Sequence, residues 1–401
     1  MREMIERIQG FFAKNKWAVV FLLAIPFFND GYLNNPIISD NLMDRFKIFV
    51  FVILLGLFIY KKRKPSPLLI CLFVMEAWWF ITTAINYGFA YSNALYKTTI
   101  DIINALSVAM IVEFYKGKGE DLVDGLMLNL ELALYPNFVT VFTQHAERGY
   151  YLLGYYAVLI LWILPAICVA ALYMCIHKKY IRGSILIAVS VATAIITWCA
   201  TIVVALMGMA FAVALGIFLY RNKKTSKFRF PLWTFVVLAL LGNLFLLFVY
   251  SGGSFPFIDL FIEKFLGRST TFTGRTPIWE KAIQMFMEKP LIGYGFRPVV
   301  IRADGFEAMH AHNMLLQRLI ATGVIGLILF VVFHILLILR VDKMKNSIAR
   351  IVMIGGVFAI NITYLMDAYK KFFRFYLVFF LAYHVDQIIQ SQFNKQDHLL
   401  D

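Results

Sequence analysis

"AHNMLLQRLIATGVIGLILFVVFHILLIL" (Ala311–Leu339) decides the fold of this chain. Its apolar run carries one arginine, Arg318, and is long enough to cross a hydrocarbon core as a helix. Eleven more apolar runs read as spans, at about 11–29, 46–60, 66–87, 92–115, 122–144, 151–176, 184–198, 200–220, 231–250, 350–367 and 371–390. The seventh run is short, and 184–220 is divided into two helices. Strand-like alternation at ten-residue spacing is absent, which argues against an outer-membrane barrel. The 401 residues are 61% hydrophobic and 15% charged, whereas a soluble domain is nearer half apolar and a quarter charged. The expected fold is an all-α polytopic membrane protein of about twelve transmembrane helices, a single integral domain over 1–401.

The formal charge of +14 would suit nucleic acid or anionic lipid in the abstract. Its placement excludes a nucleic-acid surface, because most basic residues lie in short clusters between apolar runs. Lys61–Lys64, His177–Gly183, Arg221–Arg229 and Arg340–Arg350 fall on one side of the expected membrane. The alternate loops, among them Asn29–Asp44, Gly88–Tyr91 and Gln144–Tyr150, are short of Lys and Arg. Both termini are therefore expected in the cytoplasm. The basic N-terminus leads into an apolar stretch with no small-residue cleavage site, which reads as a retained first span. Cys71, Cys168, Cys175 and Cys199 all lie inside apolar runs and form no CxxC pair, so neither a disulfide framework nor a zinc site is indicated.

One loop is exceptional. Residues 251–310 are expected outside the cytoplasm and hold seven basic residues. Loops of that length are usually functional, and they escape the positive-inside rule. Within it, "TPIWEKAIQMFMEKP" predicts a surface helix over 276–289, capped by Thr276 and stopped by Pro290. Ile278, Trp279, Ala282, Ile283, Phe286 and Met287 share one face, so the helix should lie flat on the bilayer or on the tops of the spans. A small soluble subdomain is disfavoured, because so short a loop buries little core. "GYGF" (Gly293–Phe296) reads as a turn, far from a dinucleotide fingerprint. The C-terminal helices, 311–390, follow this loop.

Soluble-enzyme motifs are missing: there is no P-loop, HExxH, GxSxG or DxD. His310 and His312 invite a metal reading, but residues at i, i+2 do not share a helix face. No carboxylate or third histidine lies at helical spacing either, so no metal is expected. Asn313 opens the span, which puts His312 at its mouth, where an imidazole can serve as general base. Arg318 lies about 9 Å deeper by the helical rise and must face a cavity or a partner. Arg275, between a Gly turn and the surface helix, joins Arg268, Arg297 and Arg302 in the loop. Arg148 stands in the turn "QHAERGYY", and Lys370, Lys371 and Arg374 follow a later outward turn. Guanidiniums converging at a membrane face suit a phosphate ligand. For the lysines, snorkelling to headgroups is the plainer account. Glu76 and Glu131 lie within spans, where a hydrogen-bonded structural role competes with a proton relay.

"GRTPIWEKAIQMFMEKPLIGYGF" (Gly274–Phe296) followed by "HAHNMLLQRLIATGVIGLILF" (His310–Phe330) resembles the O-antigen ligase and Wzy-type polysaccharide polymerase superfamily. The resemblance is specific over about 274–330. It implies a GT-C-like glycosyltransferase architecture with a large extracytoplasmic loop beside the active site, in a bacterial cytoplasmic (inner) membrane. It implies undecaprenyl-diphosphate-linked oligosaccharides as substrates, membrane lipids as surroundings, and a flippase and chain-length regulator as pathway partners, with no nucleic acid, cofactor or metal. His312 is carried over as the catalytic base and Arg275 as a diphosphate ligand. Arg148, Arg318 and Arg374 are candidates for the same diphosphate, and Trp279, Arg297, Arg302, His310 and Asn313 for the glycan. The Ser-Arg pair that many members carry at the outer start of a middle span is missing from Ile196–Ala210, which has no arginine. The expected activity is polymerisation of lipid-linked repeat units, inverting and metal-independent. Transfer of finished glycan to another acceptor, or transport through a path lined by Glu76, Glu131 and Arg318, are the rival readings.

Overall fold

A computed structural model of the chain describes residues 10, 14–29, 40–88, 92–144, 149–222, 230–250, 275–296, 301–303, 306–308, 310–368 and 372–390. The order of helices is α1 (Lys16–Phe28), α2 (Asp40–Tyr60), α3 (Pro67–Tyr87), α4 (Ser92–Tyr115), α5 (Gly119–Gln144), α6 (Ile160–His177), α7 (Tyr180–Thr197), α8 (Ala200–Arg221), α9 (Leu232–Tyr250), α10 (Arg275–Glu288), α11 (Met314–Asp342), α12 (Ile348–Met366), α13 (Phe373–Tyr383) and α14 (Val385–Gln390). Two antiparallel hairpins interrupt them: β1 (Tyr150–Tyr151) with β2 (Gly154–Tyr155), and β3 (Ile301–Ala303) with β4 (Phe306–Ala308).

Among the described residues each expected span overlaps a helix, although 151–159 is a hairpin and a short turn before α6, and the division of 184–220 is real. Trp198, in the left-handed region at φ 43°, ends α7 before α8 begins. Among the described residues, eight helices are long and apolar enough to cross a membrane. Three apolar helices are shorter, Lys16–Phe28, Leu232–Phe245 and Phe373–Tyr383. The expected last span falls short because the helix breaks at His384, whose Nε2 lies 2.9 Å from Glu113 Oε1.

The bundle shares one large apolar core. A second core is separate and lies where α11 begins: Ile278, Trp279, Ala282 and Met285 of α10 close against Ala308, Ala311, Leu316 and Ile320. The surface helix thus rests on the top of a span rather than on the bilayer. Its buried face is rotated from the expected one, with Ile283 and Met287 exposed and Met285 turned in. The loop alone would indeed bury little; the first turns of α11 supply the missing half of this core.

The expected unbroken span at 311–339 is broken. Gly323 adopts φ 65°, ψ −169° inside α11. A break in a span strands backbone groups where no water reaches them, so protein must satisfy them. The turn after α10 does so. Tyr294 N donates to Ile320 O and Gly295 N to Ala321 O, each at 2.8 Å, while Val324 N donates to Pro290 O at 2.8 Å. Trp78 Nε1 of α3 donates to Thr322 O at 2.9 Å. The same turn is tied to α3, since Asn86 Nδ2 donates to Gly293 O at 3.0 Å and Phe296 N to Thr83 Oγ1 at 3.0 Å. A side chain at position 323 would meet the Leu291 carbonyl oxygen at 2.1 Å. We therefore expect Gly323→Ala to destabilise the solubilised protein by more than about 3 kcal/mol in thermal unfolding. Gly242→Ala, whose added carbon would sit 3.6 Å from Leu365, should cost less than about 1 kcal/mol. Equal losses for the two variants would remove the argument.

Candidate functional site

The segment between the second core and α11 is held at nearly every polar group. Ala311 is fully buried; its N–H donates to Gln317 Oε1 at 2.9 Å and its carbonyl accepts from Trp279 Nε1 at 2.7 Å. Asn313 caps α11, its Oδ1 accepting from Leu315 N at 3.0 Å and Leu316 N at 3.1 Å. Its Nδ2 donates to Asn243 Oδ1 at 3.1 Å, which fastens the cap to α9. Between these anchors His312 takes a left-handed backbone, φ 48°, uncommon for a residue with a side chain.

Asp367, at the end of α12, faces this segment. Its Oδ1 lies 3.5 Å from His310 Nδ1 and 3.6 Å from His312 Nδ1. Both separations exceed a direct hydrogen bond but not an ion-pair contact. The two imidazoles pack with centroids 4.1 Å apart. Nδ1 of His312 is buried, whereas the side chain as a whole is 31% exposed, so its open edge is the one carrying Nε2. Burial pushes the Asp367 carboxyl up, but the facing imidazole of His312 and the N–H of Ala368 draw it back below its usual range. A carboxylate behind Nδ1 with Nε2 open is the arrangement that orients a histidine for proton transfer.

The reasoning that set a metal aside used helix spacing, and it does not apply, because the pair lies in a loop and the carboxylate comes from another helix. The ligand atoms of His310, His312 and Asp367 all lie within 4.8 Å of one another. Their hydrogen bonding argues differently. His310 Nδ1 accepts the backbone N–H of His312 at 3.3 Å, and a lone pair so used is not offered to a cation. Among the described residues that leaves two ligand atoms of this cluster, fewer than the three protein ligands of ordinary catalytic zinc sites.

The other expected site residues separate into groups. Trp279 is buried in the second core, so it holds the His312 segment rather than presenting a face to glycan. Asn313 is likewise fully buried, as a cap. Arg318 is 4% exposed, its guanidinium 4.7 Å from the Phe372 ring and donating to Tyr376 Oη at 3.4 Å. Tyr376 in turn donates to Glu76 Oε1 at 3.2 Å, which gives Glu76 a hydrogen-bonded place opposite a buried cation. Arg374 is fully buried, 3.9 Å over the Trp162 ring. Both guanidiniums are buried. Glu131 is held by two bonds from Arg182, at 2.7 and 2.6 Å. Arg275 begins α10, one turn before Trp279, and Arg302 pairs with Glu307 across the hairpin backbone. Arg148 and Arg297 lie outside the described residues. The residue missed from sequence is Asp367. The acid at the end of the run "YLMDAYKK" was the available signal, but only the packing of α12 against α11 shows which histidines it meets.

Residues 185–331 match a family model described as O-Antigen ligase. The chain is 31% identical over 96 residues to the exopolysaccharide production protein ExoQ of Rhizobium meliloti, covering 20% of each chain. It is 25% identical over 139 residues to a protein of Rickettsia felis named "Putative polysaccharide ligase", covering 31% of this chain and 30% of that one. A Rickettsia conorii protein of similar name is 24% identical over 139 residues, again covering 30% of its length. The matched stretches thus span less than a third of each of these relatives. The family match takes in α10, His310, His312 and Arg318, so the chain is similar to the O-antigen ligase family over that stretch.

Proposed function

We propose that this protein is an inverting glycosyltransferase that polymerises lipid-linked oligosaccharide repeat units at the extracytoplasmic face of a bacterial cytoplasmic membrane, with both termini in the cytoplasm. The observation that carries the reading is the Asp367–His312 pair, held at the mouth of α11 with the Nε2 edge open. In the proposed reaction His312 Nε2 takes the proton of the acceptor sugar hydroxyl. The freed oxygen attacks the anomeric carbon of a glycan on undecaprenyl diphosphate, the carbon–oxygen bond to phosphate breaks, and the diphosphate departs with the electron pair. Asp367 faces Nδ1 and favours the charge that the imidazole gains. Arg275 is the proposed counter-charge for the departing diphosphate. Its support is position: one helical turn, about 6 Å along the axis, separates it from Trp279, whose indole is bonded to the carbonyl before His312. The buried Arg318 and Arg374 act on the site through packing and long-range field rather than as ligands in this scheme. The flippase and chain-length regulator of the same pathway are the proposed partners.

A second reading, transfer of finished glycan to a different acceptor, is favoured by the printed names of the two Rickettsia relatives. It uses the same residues and chemistry, and differs only in requiring a second acceptor.

In cells that depend on this protein for their glycan, His312→Ala and Arg275→Ala should each cut long chains on a carbohydrate gel by at least about 100-fold, the range of a lost general base or oxyanion partner. Asp367→Asn should cost about 10-fold or more while leaving the protein in the membrane fraction. Unchanged ladders in both His312→Ala and Arg275→Ala would reject the scheme. Separately, extended treatment of the membranes with a chelator should leave transfer within about twofold of the untreated rate; a loss restored by a divalent metal would return His310, His312 and Asp367 to a metal-centre role.

A further inference from the structure

We infer that His310 is a positioning residue for His312, acting as a hydrogen-bond acceptor through Nδ1 rather than as a second proton carrier. The inference begins from backbone. His312 sits at φ 48°, and a non-glycine residue there costs on the order of 1–3 kcal/mol unless its surroundings fix it. The groups on either side are all committed: Ala311 N to Gln317, Ala311 O to Trp279, and the Asn313 side chain to the α11 N-terminus and to Asn243. The N–H of His312 points at His310 Nδ1, 3.3 Å away. A side chain two residues back that accepts a backbone N–H is the local turn that Asn and Asp commonly make. Here an imidazole makes it.

Two features give this bond a consequence for chemistry. The His310 ring lies 4.1 Å from the His312 ring, so the turn also sets where the second imidazole stands. Both rings face the same Asp367 oxygen, at 3.5 and 3.6 Å. While Nδ1 of His310 accepts from the backbone it brings no proton to that oxygen. Of the two imidazoles, His312 is then the one that can bring a proton to Asp367, whose Oδ1 also accepts the Ala368 N–H at 2.8 Å.

An acceptor role and a proton-carrying role respond differently to asparagine. The amide oxygen of Asn can occupy the place of Nδ1 and accept the same N–H, yet it does not titrate near neutral pH. Alanine can do neither. The kinetic part of the inference rests on the transferase reading; the structural part does not, and the two are measured separately. Hydrogen–deuterium exchange on the full-length protein in detergent, read from peptides that end on either side of His312, reports the N–H directly. Exchange there should be at least tenfold faster in His310→Ala than in the wild type and within about threefold of it in His310→Asn. Unchanged exchange in His310→Ala overturns the inference whatever the protein catalyses. For elongation of an undecaprenyl-diphosphate oligosaccharide, His310→Ala should lower kcat at least tenfold with KM within about twofold. His310→Asn should recover most of that loss and keep the shape of the pH profile. If Asn is as damaging as Ala, or removes one limb of the profile, His310 carries a proton and the inference fails. Because Asn preserves the turn, misfolding of the alanine variant would not rescue the inference from either result.

Discussion

The candidate site depends on how a broken membrane helix is repaired. A span that loses its ladder at Gly323 exposes carbonyls and an amide in a place where water is scarce. The turn from Pro290 to Phe296 fills the gap with its own backbone, and Trp78 of α3 takes one of the remaining carbonyls. The repair fixes the first half of α11, the turn and α10 to one another and to α3. It also lets α10 build a small core on α11, and the indole at the centre of that core holds the carbonyl next to His312. The break, the turn and the histidine segment are in this sense one construction. Its rigidity is what allows a left-handed residue to stand at the site without relaxing.

A second constraint is charge. The same region buries two guanidiniums, and the structure supplies aromatic faces for both and a polar partner for Arg318. Arg318 lies against Phe330 and Phe372 with Tyr376 and Glu76 beside it, and Arg374 lies against Trp162 and Phe373. Buried cations arranged this way are costly to assemble and costly to disturb. Positive charge held in the same part of the bundle suits a substrate whose leaving group is a diphosphate in the proposed reaction.

Much of this was legible in the residues. Apolar run length located every helix that the structure contains in the spans, and the Pro and Gly residues around 277–296 marked α10 and its turn. His312 was legible because a polar residue at the lip of a span, just before a capping Asn, has few other reasons to be there. Three features were not. Gly323 inside "ATGVIG" looks like an ordinary small residue of a membrane helix, since nothing local says that a distant turn will donate to the carbonyls before it. Asp367 lies 55 positions beyond His312 (367 − 312), so no periodicity links them. The inward positions of Trp279 and Arg374 depend on which neighbour each helix face meets, whereas the depth of Arg318 already required a cavity or a partner. His310 reads as a glycan candidate for a related reason: its contact is with a backbone N–H two residues on, which a search for shared helix faces does not detect.

The central claim is that this one chain carries a complete, metal-independent transfer site served by His312. The most direct measurement uses the purified full-length protein in nanodiscs with a defined undecaprenyl-diphosphate oligosaccharide and no other protein, nucleotide sugar or metal. The account predicts a ladder of longer lipid-linked glycans, with each new linkage inverted at the anomeric carbon and one undecaprenyl diphosphate released per step. Absence of elongation, or linkages that retain the donor configuration, would contradict it.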